Sequence, residues 1–253
     1  WYEWPFDLRP IWYFAGDTWQ GYSTISAFGN PLLWWAGIPA LCGAAVLWWK
    51  GRPRWAGVVL AGGLSSRLGQ EKALLRVHGR EHPDLLCRTH NLLTALLPQC
   101  WVACRPGRPR PGYDCLYDQV EGLGPFSGVH AALRGAAQQG YAAVLALSCD
   151  LPFMDDATLR RLLAARDVAS SDRLLTTFCQ TETGFIEALT AIYEVAALPL
   201  FDKALARGER KLSRIIPLER QERIAYSQGE ALPFFNINYP ADLELVRRLL
   251  AAL

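Results

Sequence analysis

Several things are scarce in this chain of 253 residues, and each scarcity removes a class of function. Charge imbalance is one. The formal net charge is only +2, and the two short basic runs, Lys50 to Arg54 and Arg105 to Arg110, are interrupted by proline and glycine, as solvated loops are. A nucleic-acid-binding surface is therefore not expected. The seven cysteines (Cys42, Cys87, Cys100, Cys104, Cys115, Cys149 and Cys179) are odd in number and scattered, with no CxxC pair and no histidines at zinc spacing. That argues against a disulfide framework and a structural zinc site, and reads as reduced, mostly buried thiols of a cytosolic domain. The four histidines, His78, His82, His90 and His130, match no recognised role and read as surface or loop residues. Two phosphate-binding patterns are also missing. The glycines at 62 and 63 are not followed by the GK[ST] of a Walker loop, and the GxGxxG spacing of a dinucleotide fingerprint is absent.

Charge is missing altogether between Leu32 and Trp49. A run of about 18 uncharged residues is just long enough to cross a bilayer core, and Trp34, Trp35, Trp48 and Trp49 stand near its ends as interfacial aromatics do. Lys50, Arg52 and Arg54 follow directly, which by the positive-inside tendency puts the C-terminal end in the cytoplasm and Glu3, Asp7 and Asp17 outside. Nine of the ten tryptophans lie at or before Trp55, too many and too far along for a signal peptide. Residues 1–55 are thus predicted to be a membrane-associated segment with one transmembrane helix over 32–49. Pro39 and the glycines at 37 and 43 would equally suit a buried helix of a soluble domain.

From Ala56 onward, short apolar runs alternate with amphipathic stretches, the pattern of a parallel sheet covered by helices. Strands are predicted at Gly57 to Leu60, Cys100 to Ala103, Asp114 to Leu116 and Val144 to Leu147. Helices are predicted at Asp84 to Leu97, Ser127 to Gln138, Asp155 to Ala165 and Ala241 to Ala252. Residues 56–253 are accordingly expected to form one layered α/β domain with helices on both faces. In open sheets of this kind a ligand lies beyond the carboxyl ends of the strands, and three motifs fall at such ends.

The first motif is LAGGLSSRLGQEKALL, Leu60 to Leu75. After an apolar strand, Gly62 and Gly63 let the backbone turn sharply and approach a ligand with no Cβ in the way. Backbone N–H groups exposed by such a turn suit phosphate oxygens, and Arg67 and Lys72 add a planar fork and a mobile point charge. The second is DQVEGLGPFSG, Asp118 to Gly128, where an acidic residue and a Gly-Pro turn lead into a helix. A turn aspartate with only a structural job is the competing account of Asp118. The third is LSCDLPF, Leu147 to Phe153, in which a buried strand ends at Asp150. A single strand-end carboxylate is enough for Mg²⁺, which fills its remaining positions with water and substrate phosphates. Asp155 and Asp156 read instead as cap and first-turn charge of the next helix.

The run AGGxSxRxG followed by KAL, with the Asp118 and Asp150 motifs in order and FFNINYPADL at Phe234 to Leu243, resembles the molybdenum cofactor guanylyltransferase family over about residues 57–253. The resemblance implies a Rossmann-like nucleotidyltransferase fold and transfer of GMP from GTP to the terminal phosphate of molybdopterin, releasing pyrophosphate. It implies catalytic roles for Arg67, Lys72 and Asp150, with Asp150 on Mg²⁺. It implies substrate binding by Leu60, Ala61, Gly62, Gly63, Ser65, Lys72, Asp118, Asp150, Asn236 and Asn238, and molybdoenzymes or their chaperones as downstream partners. The chain departs from the family at Phe126 and Ser127, at Tyr239, at Glu187 to Leu189, and at Val102 to Gly107, where no counterpart of a guanine-side asparagine stands.

The first fifty residues, through WPFDLRPIWYF and ISAFGNPLLWWAG, resemble the C-terminal end of membrane mannosyltransferases that use polyprenyl-phosphate sugars. No glycosyl transfer is carried over, because that family's catalytic acids lie in loops not contained here. Two rival readings fit the same residues: a nucleotidyltransferase acting on CTP or on a sugar or isoprenoid phosphate, and a membrane glycosyltransferase remnant whose second domain only binds nucleotide.

Overall fold

The structure is a computed structural model, and it describes residues 11–18, 21–27, 39–42, 55–61, 68–69, 71–79, 81–105, 107–117 and 123–252. The chain divides into two compact units, Trp1–Arg52 and Pro53–Leu253.

In the first unit, β1 (Ile11–Thr18) and β2 (Gly21–Ala27) pair antiparallel, with an irregularity between Trp12 and Phe14. Of the expected span over 32–49, residues 39–42 are described, as helix, and the rest lies outside the described residues. Among the described residues no helix is long and apolar enough to cross a membrane, so the predicted transmembrane helix has no structural support.

In the second unit seven strands form one sheet in the order β5-β4-β3-β6-β8-β7-β9. They are β3 (Trp55–Leu60), β4 (Cys100–Cys104), β5 (Cys115–Tyr117), β6 (Ala143–Ser148), β7 (Leu175–Gln180), β8 (Ile186–Glu194) and β9 (Gln221–Tyr226). The sheet is mixed rather than parallel as predicted: β8 runs antiparallel to both its neighbours, β6 and β7. Every residue of β6 is buried, which is why AVLALS shows no alternation of polar and apolar residues.

Helices α1 (Leu85–Thr94), α2 (Pro125–Gln139), α3 (Asp156–Val168), α4 (Leu198–Ala206), α5 (Leu212–Ile215) and α6 (Pro240–Ala252) complete the unit. On one face Phe126, Val129 and Leu133 of α2 meet Trp101, Tyr193 and Phe201. On the other, Leu86 and Leu93 of α1 and Leu159 and Leu162 of α3 pack on Val59, Val102, Leu145 and Leu147. A smaller cluster joins Leu68, Leu75, Val77 and Ile237 to Leu243 and Val246 of α6. Each fully buried leucine in these clusters contributes about 1.5–3 kcal/mol.

The helix starts follow local chemistry. Asp84 and Asp155 cap α1 and α3, accepting from the backbone N–H of Cys87 and Thr158. Asp155 therefore has the capping role expected from the sequence, and Asp156 stands in the first turn of α3. At α2 the Gly-Pro turn works through backbone geometry: Gly124 has φ +63°, and Pro125 opens the helix. Gly128 is required for packing, because a Cβ there would sit 3.0 Å from both Ala103 Cβ and Leu60 Cδ2. The helix thereby lies directly on the β3–β4 pair.

His130 corrects the expectation of a surface histidine. It is 5% exposed on α2, lies 2.8 Å from Asp202 Oδ1 through Nε2, and its ring stacks on Phe201 with an interplanar angle of 9°.

Candidate active site

β3 and β6 end level, since Leu60 pairs with Ser148 in the parallel register. The segments that leave them emerge side by side at the carboxyl edge of the sheet, and Cys149 N–H donates to Leu60 C=O at 3.4 Å. Asp150 follows immediately. Its Oδ1 accepts from Ser148 Oγ at 2.6 Å, and its Oδ2 lies 3.1 Å from Lys72 Nζ.

Lys72 comes from the other emerging segment, as the first residue of a 3₁₀ turn, Lys72–Leu74, whose Ala73 is 2% exposed. Burial of Ala73 anchors the turn. The lysine side chain is mostly buried, 16% exposed against 17% for Asp150. Its ammonium also donates to Asn238 Oδ1 at 2.8 Å.

The third wall is the stretch before α6. Ile237 N–H donates to the backbone C=O of Asp150 at 3.0 Å, and the Ile237 side chain is fully buried. Asn236 and Asn238, two residues apart, share the opposite side, and Asn238 Nδ2 donates to Asn236 Oδ1 at 2.7 Å. The start of α6 is held by Asp242, whose Oδ2 accepts from the N–H groups of both Asn238 and Tyr239 at 2.8 Å.

Lys72, Asp150, Asn236 and Asn238 are therefore brought together, with Leu60 and Ala61 at the end of β3 beside them. Gly62, Gly63, Ser65, Arg67 and Asp118 lie outside the described residues. Four contributors escaped the sequence reading. Ser148 orients Asp150. Arg110, expected in a solvated basic loop, instead pairs with Glu71 next to Lys72. His78 Nε2 is 3.0 Å from Pro152 C=O, tying the Lys72 segment to the Asp150 turn, and burial holds its pKa below the usual value. Glu187, at the start of β8, is half-buried and accepts from Tyr226 Oη at 2.6 Å. A hydroxyl next to an aspartate and an arginine in a proline-rich loop are ordinary in sequence; only their partners single them out.

Burial and the adjacent Asp150 push the Cys149 thiol up to about 12, so this cysteine carries no thiolate at neutral pH and is no nucleophile. Among the described residues no three His, Cys, Asp or Glu side chains converge as a metal cluster. Asp150 offers one hard carboxylate, oriented by Ser148, which fits Mg²⁺ completed by water and phosphate oxygens and fits no thiophilic metal.

Residues 57–224 match the MobA-like NTP transferase domain. The chain belongs to that family. The match ends before Asn236 and Asn238, so the third wall of the site stands beyond it. The chain is 32% identical over 201 residues to a probable molybdenum cofactor guanylyltransferase of Pelotomaculum thermopropionicum, covering 76% of this chain and 91% of the relative. A molybdenum cofactor guanylyltransferase of Rhodobacter capsulatus is 30% identical over 203 residues, with 75% and 93% covered. The chain spans about half, 52%, of another relative, the molybdenum cofactor biosynthesis bifunctional protein of Synechocystis sp., at 32% identity over 192 residues.

Among solved structures, molybdopterin-guanine dinucleotide biosynthesis protein A from Archaeoglobus fulgidus superposes with a TM-score of 0.60 at 23% identity, covering 79% of this chain and all of that one. A 2-C-methyl-D-erythritol 4-phosphate cytidylyltransferase from Thermus thermophilus has the same fold, with a TM-score of 0.55 at 21% identity. The chain is an α/β nucleotidyltransferase of this family.

Proposed function

We propose that the chain transfers GMP from GTP to the terminal phosphate of molybdopterin, giving the guanine dinucleotide cofactor and pyrophosphate. The observation that carries this reading is the Lys72–Asp150–Asn238 constellation at the level ends of β3 and β6, in a chain about 30% identical to named guanylyltransferases. An oxygen of the acceptor phosphate bonds to the α-phosphorus of GTP as the bond to the β-phosphate bridging oxygen breaks and pyrophosphate leaves. No protein nucleophile enters that exchange. What the protein supplies is position and charge.

Lys72 brings a point charge to the phosphate oxygens, and Asn238 holds the ammonium over the site. Ser148 fixes the orientation of the Asp150 carboxylate. Asp150 would hold Mg²⁺, which when bound neutralises phosphate charge, and Asn236 and Asn238 are assigned to substrate binding. From the sequence we assign the phosphate cradle to Gly62, Gly63, Ser65 and Arg67, and nucleotide contact or loop bracing to Asp118. We further read residues 56–253 as a cytoplasmic domain that passes its product to molybdoenzymes or their chaperones. For residues 1–55 the membrane-associated reading rests on sequence: the uncharged run 32–49, the tryptophans near its ends and the cations that follow it.

The test is to supply the full chain with molybdopterin, Mg²⁺ and either GTP or CTP, and to measure pyrophosphate together with the dinucleotide. Release is expected with GTP and not CTP, and is lost in Asp150→Asn. A folded protein that releases pyrophosphate with neither nucleotide refutes the reading, and release with CTP moves it to a cytidylyltransferase.

A further inference from the structure

At the carboxyl edge of the sheet, on the far side of β6 from the β3 loop, stands an acid that the chemistry above leaves unused. The last registered pair between β6 and β8 is Leu147 with Thr190. β8 starts at Ile186 and runs antiparallel to β6, which puts Glu187 near the carboxyl edge where Asp150 follows β6. Because β8 alone is reversed, its first residues, and not its last, reach the ligand edge. Tyr226 ends β9 opposite Gln180, the last residue of β7, at that same edge.

The Tyr226 hydroxyl donates to Glu187 Oε1 at 2.6 Å, and its ring packs against Phe234 with centroids 4.5 Å apart. Phe234 leads within two residues to Asn236, and Asn236 through Asn238 to Lys72. A continuous strip of contacts thus joins Glu187 to the phosphate site. The described residues give Glu187 a single hydrogen-bond donor, Tyr226, although a carboxylate accepts several. Burial raises the Glu187 pKa, and the tyrosine bond pulls against that shift. The carboxylate therefore keeps acceptor capacity that a ligand can use by displacing water.

A carboxylate in this state matches a ring edge that offers two adjacent N–H donors, the 2-amino and N3–H groups of a pyrimidin-4-one. Guanine and pterin share that edge. In the sheet β3 and β4 lie on one side of β6 and β8 on the other. With the nucleotide cradle assigned above to the residues that follow β3, the β8 edge is the one left for the acceptor. Building on the pterin-phosphate reading above, we propose that Glu187 is the specificity residue for the acceptor, its carboxylate receiving the paired N–H donors of the pterin ring while Tyr226 holds it in place.

The experiment is equilibrium binding to the full chain of 6-hydroxymethylpterin and of 6-hydroxymethyllumazine, which carries a carbonyl in place of the 2-amino group. Wild type is expected to prefer the pterin by about tenfold or more. Glu187→Gln, near-isosteric but uncharged and able to donate, loses that preference, and Tyr226→Phe weakens it, while the preference for GTP over ITP stays within about twofold. Circular dichroism of each variant checks the fold, and Glu187→Ala repeats the comparison if the glutamine variant fails that check.

The proposal is overturned if the pterin preference survives in Glu187→Gln, if wild type binds neither ring, or if the GTP preference over ITP disappears instead, which would give Glu187 to guanine. Turnover measured in parallel separates the two readings. A pterin preference that depends on Glu187, in a protein that does not turn over GTP, sinks the transfer reaction and leaves the ring site standing. Turnover with an unchanged pterin preference in Glu187→Gln does the reverse.

Discussion

Replacing Lys72 by methionine removes one positive charge while keeping most of the apolar stem. In the free protein the ammonium loses Asp150 Oδ2 at 3.1 Å and Asn238 Oδ1 at 2.8 Å. Asp150 keeps Ser148 as a donor to Oδ1 and Asn238 keeps its Nδ2 bond to Asn236, so Asp150 Oδ2 and Asn238 Oδ1 are the atoms that lose the ammonium. The pair is only 16% and 17% exposed, more buried than a surface ion pair yet still in reach of water. A folding cost of about 1 kcal/mol follows, or about 2–4 °C in Tm for a domain of this size.

During transfer the same ammonium faces developing phosphate charge, where losing one preorganised donor costs about 2.7–4 kcal/mol, or a factor of about 100–1,000 in kcat. The catalytic effect should therefore exceed the folding effect by about threefold in free energy. Pyrophosphate release at saturating GTP, read beside a thermal melt, measures both. Activity within about threefold of wild type would refute the phosphate role, and a fall in Tm beyond about 10 °C would make Lys72 a structural tie.

Gly128→Val forces a side chain into a 3.0 Å gap against Ala103 and Leu60, and overpacking of about 1–3 kcal/mol should lower the urea midpoint. Gly128→Ala should lose less, since alanine regains about 1 kcal/mol of helix propensity; a valine variant as stable as wild type would disprove the close approach. His78 is held below its ordinary 6.5 by burial and by Arg88. Its contribution to stability is therefore present above that pH and lost as pH falls through the lowered value. His78→Gln should reduce the stability lost between about pH 7.5 and about pH 5.5, and equal losses in both proteins would clear this imidazole. Burial pushes the thiols of Cys100 and Cys149 up to about 12. Both should stay silent to a thiol reagent near pH 8 until the protein unfolds, and rapid labelling of Cys149 in the folded state would contradict the closed β6 end.

The parts legible in the sequence were those whose cause is local. β3, β4 and β6 announced themselves as apolar runs because they are buried on both faces, and Asp84 and Asp155 marked helix starts because a cap acts within three residues. The strands β7 and β9 went unpredicted. LTTFCQ carries two threonines that are buried, and QERIAY is an edge strand with charged residues at its second and third positions. The direction of β8 was invisible for a different reason: a period of two residues reads the same in either sense. In the site, Lys72 and Asp150 were singled out by the motifs that carry them. Ser148, Arg110 and Glu187 were not, since their meaning lies in partners 2, 39 and 39 residues away that ordinary side chains do not advertise. His130 was misjudged because Asp202, 72 residues distant, is what makes its burial tolerable.

The hydrogen bond from Ile237 to Asp150 spans most of the second half of the chain and gives the site a history as well as a shape. All seven strands are complete once Tyr226 has been made, yet at that moment Lys72 and Asp150 face an open side. The contact from Ile237 follows because the residues that make it are synthesised after Tyr226. On the ribosome a folded sheet with its charged pair assembled would therefore exist before the molecule could position a substrate. Competence would arrive only when Asn236 and Asn238 are drawn onto Asp150 and α6 locks behind them.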